Sequence, residues 1–338
     1  DRSPSRGLGD VYKRQEEYQK ARERRWVLPC ICTENLTTTE AILKAAKDYQ
    51  QEHSVKNIPV IIAATCLYDH RSQIPNYTHT RDWKTGLKLF TNDIKALADE
   101  NGYYRDLNVM IHLDHIQHDL DTELLEGDLS DYASILYDAS GVPFEENIRK
   151  TAAFVEKRGG DILVEGACDE IVDATGNVHN ELTSPQKAKE YAERTGVDLI
   201  VANLGTEHRA TGKQLQYHGD VARSIKAEIG EKIVLHGTSS VTNEQVRGLF
   251  DDGVIKVNVW TALERDSAPV LFEEMIKNAV KIAGVEKVEE LIAAGYLTEK
   301  AKEAVSNNIG YFTTVFRQDV IYRNMEKIVK DYFDMWYR

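Results

Sequence analysis

The sequence predicts a (β/α)8 barrel of the TIM type with a C-terminal helical extension. Eight short apolar runs recur along the chain: Trp26–Cys32, Ile58–Thr65, Val109–Leu113, Ala133–Tyr137, Asp161–Val164, Leu199–Leu204, Ile233–Leu235 and Val254–Val259. They are near-continuous rather than alternating, as befits strands buried on both faces of a parallel sheet. Segments of helical period separate them. Eight regularly spaced units favour a closed barrel over an open, doubly wound sheet.

The intervening helices are legible from their ends. Thr37-Thr-Thr-Glu40 reads as a capping box opening Ala41–Tyr49. Ser184-Pro185 supplies an N-cap and a first-turn proline for Gln186–Thr195. Further helices are expected over Glu145–Arg158, Tyr217–Ile229 and Asn243–Phe250, with Gly230 and Gly253 placed to end a helix or turn. The residues from Ser267 to Arg338 have helical pattern and lie beyond the eighth strand. The polar connection Cys66–Lys84 is long for a loop, and long loops at the C-terminal face of a barrel tend to carry function. Residues 1–15 lack helical or strand period and are set aside as a non-native or disordered leader, leaving 16–338 as one domain.

Composition bounds the partners. The chain has 338 residues, 42% hydrophobic and 29% charged, with a net charge of −13. An acidic surface argues against nucleic acid, whose phosphates need a basic one. No apolar run is long enough to span a bilayer. The four cysteines form no metal-type CxxC pair and are too few for a disulfide framework, which favours a reducing, cytoplasmic setting.

The strand ends carry the chemistry. In a barrel of this kind the active site lies at the C-terminal ends of the strands. Asp114 and His115 close the third apolar run, His208 follows the sixth and His236 closes the seventh. Three imidazoles with an open fourth position make the pattern of a catalytic zinc site. A single strand-end histidine is more often a hydrogen-bonded packing residue, which is how His112 is read. His70, His79 and His118 are placed outside the metal set, and Cys32 and Cys168 are read as packed thiols without a basic partner.

At these residues the chain resembles the class II, zinc-dependent fructose-bisphosphate and ketose-bisphosphate aldolases. The resemblance rests on six segments in order: His112-Leu-Asp-His115, Tyr137-Asp-Ala-Ser-Gly-Val-Pro-Phe-Glu-Glu-Asn147, Leu182-Thr-Ser-Pro-Gln-Lys-Ala188, Gly205-Thr-Glu-His208, Leu235-His-Gly-Thr-Ser239 and Lys256-Val-Asn-Val-Trp-Thr261. It implies a TIM barrel that cleaves a phosphorylated ketose, fructose 1,6-bisphosphate by default, to dihydroxyacetone phosphate and an aldehyde. It implies Zn2+ on His115, His208 and His236, with Co2+ or Fe2+ able to replace it. Asp114 would handle the hydroxyl proton, Asn258 would contact the substrate near its carbonyl, and Glu165 would correspond to the family's glutamate on the fifth strand. The phosphate would meet Gly205, Gly237, Thr238, Ser239 and Thr261. A loop acid is implied among Glu170, Asp173 and Glu181. A homodimer or homotetramer is expected.

Four departures from the family pattern bear on the substrate rather than on the metal. The phosphate loop, usually HGGSG, is His236-Gly-Thr-Ser-Ser240. Arg209 replaces the glycine after the second zinc histidine, putting a cation at the expected monovalent-ion site. Cys32 replaces an asparagine, and Trp260 an aspartate or small residue. An arginine fork suits phosphate and carboxylate alike. An aldolase for a carboxylated or non-phosphorylated ketose is therefore the first alternative, and a catalytically silent sugar-phosphate-binding homologue the second. Arg209 as a surface ion-pair residue, and Thr238 and Ser239 as plain helix caps, are the structural alternatives.

Overall fold

The structure is a computed structural model that describes residues 11–171, 181–303 and 309–337. Eight parallel strands close into a barrel in sequence order. They are β1 (Leu28–Cys32), β2 (Pro59–Thr65), β3 (Asn108–Gln117), β4 (Ser134–Asp138), β5 (Leu163–Ala167), β6 (Leu199–Val201), β7 (Ile233–Leu235) and β8 (Val254–Val259). Apart from the first and last residues of β3, every strand residue is buried, as the unbroken apolar runs require. No described helix is long and apolar enough to cross a membrane.

Local chemistry explains most of the surrounding helices. Pro185–Thr195 opens at Ser184, whose hydroxyl accepts from the Lys187 amide at 3.2 Å, and ends at Gly196 in the left-handed region. Leu36–His53 begins earlier than its periodicity suggested. Its cap is Asn35, whose side chain accepts from the Thr38 amide at 2.9 Å, and not Thr37. The helix expected over 243–250 is instead a series of turns closed by i to i+3 bonds, such as Gln245 to Thr242 and Asp251 to Gly248. Gly248 weakens a helix there, and burial of Val246 and Leu249 is met by the tighter turns. β6 is also shorter than its apolar run. The Asn203 amide and carbonyl pair with Thr183 at 2.8 and 2.9 Å and leave the ladder.

The two ends of the chain complete the barrel. The first helix, Val11–Arg24, starts within the segment set aside as a leader and buries Tyr18 and Ala21 against the barrel core. Residues 1–10 lie outside the described residues. The last helix, Thr314–Trp336, joins the same core, and Tyr337 stacks on Trp26 with ring centres 4.6 Å apart. Between them, Ala279, Val280, Val288 and Ala301 form a small separate core within the extension.

The ends of β6 and β7 cross at Gly237. Its φ is +69°, and a Cβ there would lie 2.7 Å from the backbone N, C and O of Glu207. Thr206 donates its hydroxyl to the His236 carbonyl at 2.6 Å, and the Ser240 hydroxyl accepts from the Glu207 amide at 3.1 Å. Only glycine allows this approach. Gly237→Ala is expected to lower stability by about 1–3 kcal/mol through strain and displacement of the Glu207 backbone. The midpoint of denaturant unfolding reads this, and an unchanged midpoint would show that the crossing tolerates a side chain.

Candidate active site

The third strand sets the geometry. His112 and Asp114 follow the alternation that sends every second side chain inward. His115 would then point outward, but the ladder between β3 and β4 slips between Leu113 and Ile116 and His115 has φ +45°. This bulge turns two consecutive side chains into one cavity at the strand ends, a usual work of bulges beside active sites.

His115, His208 and His236 meet there. Their candidate donor atoms all lie within 4.8 Å of one another. His115 Nε2 is 3.1 Å, and His208 Nε2 3.4 Å, from His236 Nδ1. Three imidazoles around a tetrahedral Zn2+ would have nitrogens about 3.4 Å apart, given bonds of about 2.0–2.1 Å. The donor set therefore fits a divalent cation of that kind. Asp138 at the end of β4 accepts from His115 Nδ1 at 2.7 Å, which fixes the tautomer that leaves Nε2 free. The Tyr68 ring stacks on His115 with centres 4.6 Å apart and planes 2° apart, holding its rotation.

Asp114 is bracketed beside the histidines. Asn258 Nδ2 donates to its Oδ1 at 2.8 Å, and the Cys32 thiol donates to its Oδ2 at 3.3 Å. Burial would raise this carboxyl, but His115, a hydrogen bond from His112 and His236 outweigh it and hold the group well below the usual range. Burial, and then the Asp114 charge, push the Cys32 thiol well up, so it stays a neutral donor. Asn258 Oδ1 and His236 Nε2 are buried with no hydrogen-bond partner among the described residues. Buried orphan polar atoms are uncommon, and a group at a cavity that binds a ligand is one reason to keep them.

The rest of the cavity wall comes from β2, β6, β7 and β8. Gly237, Thr238 and Ser239 line it at a single 3-10 turn, and Thr261 lines it at the N-terminus of the helix Thr261–Lys277. Arg265 in that helix donates to the carbonyls of Ala210 and Ser239 at 2.9 and 2.8 Å, tying the loops after β6 and β7 together. Arg209 also lines the cavity, has φ +51°, and donates to the His70 carbonyl at 2.8 Å. It thus bridges the loops after β6 and β2. The connection Cys66–Lys84 contributes Tyr68, His70, Arg71 and Gln73 to the wall.

Two expected site residues do not reach the cavity. Glu165 lies in the barrel interior, 1% exposed, paired with Lys256 at 2.9 Å. Lys256 also meets His112 Nε2 at 3.2 Å. Gly205 lies away from the lining, packed at φ +88° against Gln216 and His218. Of the loop acids, Glu170 stands 3.9 Å from His70, Glu181 is exposed, and Asp173 lies outside the described residues. Sequence reasoning assigned no part to Asp138, Tyr68, Arg71 or Arg265. Asp138 stood in a quoted segment at a strand end, which was its available signal. The other three become site residues only through packing between distant loops.

Comparison with known proteins agrees with this fold. Residues 13–319 match the family described as class-II fructose-bisphosphate aldolase. Three solved structures share the fold. A Coccidioides immitis protein, described only provisionally as a fructose-1,6-bisphosphate aldolase, is 20% identical over 95% of both chains, with TM-score 0.64. The YdjI aldolase of Escherichia coli K12 is 17% identical over 97% of both, with TM-score 0.62. A fructose-bisphosphate aldolase of Campylobacter jejuni is 17% identical over 95% of this chain and 93% of its own, with TM-score 0.69. A closed eight-stranded barrel matched over most of its length makes this chain a member of the class-II fructose-bisphosphate aldolase family.

Proposed function

We propose that the protein is a zinc-dependent aldolase that reversibly cleaves a ketose phosphate, such as fructose 1,6-bisphosphate, to dihydroxyacetone phosphate and an aldehyde. The observation that carries this reading is the convergence of His115, His208 and His236 beside Asp114. The three histidines would hold Zn2+, which Co2+ or Fe2+ can replace. Bound there, the ion would supply Lewis-acid charge to stabilise the negative charge that develops on the substrate's carbonyl.

The side chains supply the rest. Asp114 takes the proton of the hydroxyl that becomes the aldehyde oxygen, as the adjacent C–C bond breaks and its electron pair stays with the ketone-bearing fragment. The hydrogen bonds from Asn258 and Cys32 aim the carboxylate. An acid then returns a proton to that fragment's carbon. Among the described candidates, Glu170 is the one that approaches a cavity residue, His70, at 3.9 Å. The substrate phosphate would lie against Gly237, Thr238 and Ser239 and the backbone N–H groups at the helix start by Thr261.

 Arg209, in the position after His208, places a fixed positive charge on the cavity wall, which argues against a companion monovalent cation there.

The setting proposed is cytoplasmic, with a small phosphorylated sugar as partner and neither nucleic acid nor membrane. A homodimer or homotetramer is proposed from the extension, where Phe272, Tyr296, Phe312 and Val315 are exposed. A second reading, an aldolase for a different ketose, is favoured by the arginines on the cavity wall.

Purified protein is expected to carry about one zinc per chain, because three neutral imidazoles with an open position suit that ion. Elemental analysis checks this, together with loss of retro-aldol activity on chelation and its return with zinc or cobalt. Full activity in metal-free protein would refute the proposal.

Asp114→Ala should keep the metal and lose about 10²–10⁴-fold in cleavage rate, the usual worth of a positioned proton acceptor. His236→Ala should instead lose metal and activity together. Asp138→Asn should weaken metal affinity by about 10–100-fold, since it removes the carboxylate that orients His115. Metal titration beside steady-state rates separates the three, and an Asp114→Ala rate within a few-fold of the parent would remove Asp114 from the chemistry.

A further inference from the structure

The barrel interior beneath the cavity holds a charged pair with no task in the chemistry above. Lys256 donates from Nζ to Glu165 Oε2 at 2.9 Å, and both side chains are buried. Glu165 Oε1 is buried with no partner among the described residues. Such a pair adds little to stability. Its attraction is set against the desolvation of two charges, and apolar side chains of similar volume often serve a fold as well. Folding alone therefore does not call for charges at these two positions.

Strand geometry connects them to the site. Lys256 stands two residues before Asn258 on β8, and His112 two residues before Asp114 on β3. Side chains two apart on a strand share a face. Each strand thus carries a cavity side chain above a buried one, and the two stacks meet across the barrel in two rungs. In the upper rung Asn258 Nδ2 donates to Asp114 Oδ1 at 2.8 Å. In the lower rung Lys256 Nζ lies 3.2 Å from His112 Nε2. β1 and β2 separate β8 from β3, so no backbone ladder joins the two strands directly. The upper rung is weakly anchored, because Asn258 Oδ1 has no partner among the described residues. The lower rung is anchored at both ends. Glu165 holds the ammonium, and Ser134 Oγ lies 2.8 Å from His112 Nδ1. His112 Nε2 also stands 3.7 Å from Asp114 Oδ1, so the imidazole backs the carboxylate.

We propose that Lys256 is a positioning residue for Asp114: its rung to His112, braced by Glu165, sets the span across the barrel at which Asn258 meets and aims the carboxylate. This deepens the aldolase reading and rests on it for the reaction that Asp114 serves. Lys256 touches no part of the cavity, so its effect passes through Asp114 alone. A displaced proton acceptor costs rate rather than affinity, since the histidines and the 237–239 turn that would hold the ground state stay in place.

The test uses metal-loaded full-length protein and fructose 1,6-bisphosphate or fructose 1-phosphate, whichever the parent cleaves. Lys256→Met alone would strand the Glu165 charge, so the variant is Lys256→Met with Glu165→Leu, an apolar pair of similar volume. Its metal content and denaturant midpoint should match the parent. Its kcat should fall by about 10–100-fold, the cost of a misplaced reacting group, with KM within about three-fold. Where that variant fails to fold, Lys256→Gln with Glu165→Gln, a shorter neutral rung, carries the same test. The same pair of substitutions is then made on Asp114→Ala. There it should change the residual rate by less than about three-fold, because an effect routed through Asp114 disappears with it. A general structural lesion would exact its full factor again. Crystal structures of parent and variant should show Asp114 displaced from Asn258. A parent-like kcat, or the full loss repeated on Asp114→Ala, overturns the positioning role and leaves the aldolase reading standing. If the parent cleaves neither ketose, the aldolase reading fails and the crystal structures decide: a displaced Asp114 upholds the rung, and an unmoved one refutes it.

Discussion

Asp114 and His115 are neighbours in the chain, and a regular strand would send them to opposite faces of the barrel. The slip of β3 against β4 and the positive φ of His115 put both into one cavity. The remainder of the site is arranged around that irregularity. Asp138 and Tyr68 hold the displaced imidazole, Asn258 and Cys32 hold the carboxylate, and the crossing at Gly237 brings His236 and His208 to meet them. A bulge places a proton acceptor and a metal donor next to each other without a long loop, and a short connection keeps both rigid.

Below the cavity floor lies a buried polar layer. Lys256, Glu165 and His112 meet in the barrel interior, and His112 also bonds the Ser134 hydroxyl at 2.8 Å. Burial alone would lower the Lys256 ammonium, but Cys30 and Glu165 beside it raise it, so it stays charged. Replacing one partner of such a pair strands the other charge in a low-dielectric interior, which is the costly case for a buried ion pair. His112 links this layer to Asp114, at 3.7 Å, so the charge of the floor and the charge of the site are set together.

The cavity wall divides by origin. The turn after β7 and the helix start after β8 are backbone-rich and suit a phosphate whatever the rest of the ligand is. The opposite wall is built of long side chains, Arg71, Trp260 and Arg209, braced by Glu34 and by the carbonyl of His70.

The amino-acid sequence by itself determined the barrel, its eight strands and the three histidines at strand ends. The signals are local: unbroken apolar runs, capping residues and a titratable residue where each run stops. It also marked Asp114, Asn258, Arg209 and the 237–239 turn, which the structure brings to one cavity. Element limits set by side-chain competition escaped it, as where Thr183 draws Asn203 out of β6 and Asn35 captures a helix start. Glu165 reads as a site residue by its place on the strand, but only the folded barrel pairs it with Lys256, 91 positions away. Arg71 and Glu34 are ordinary in sequence, and Trp260 stands out only as a departure from the family pattern. They become one wall because β1, β2 and β8 are neighbours in a closed barrel, a relation that no local pattern contains.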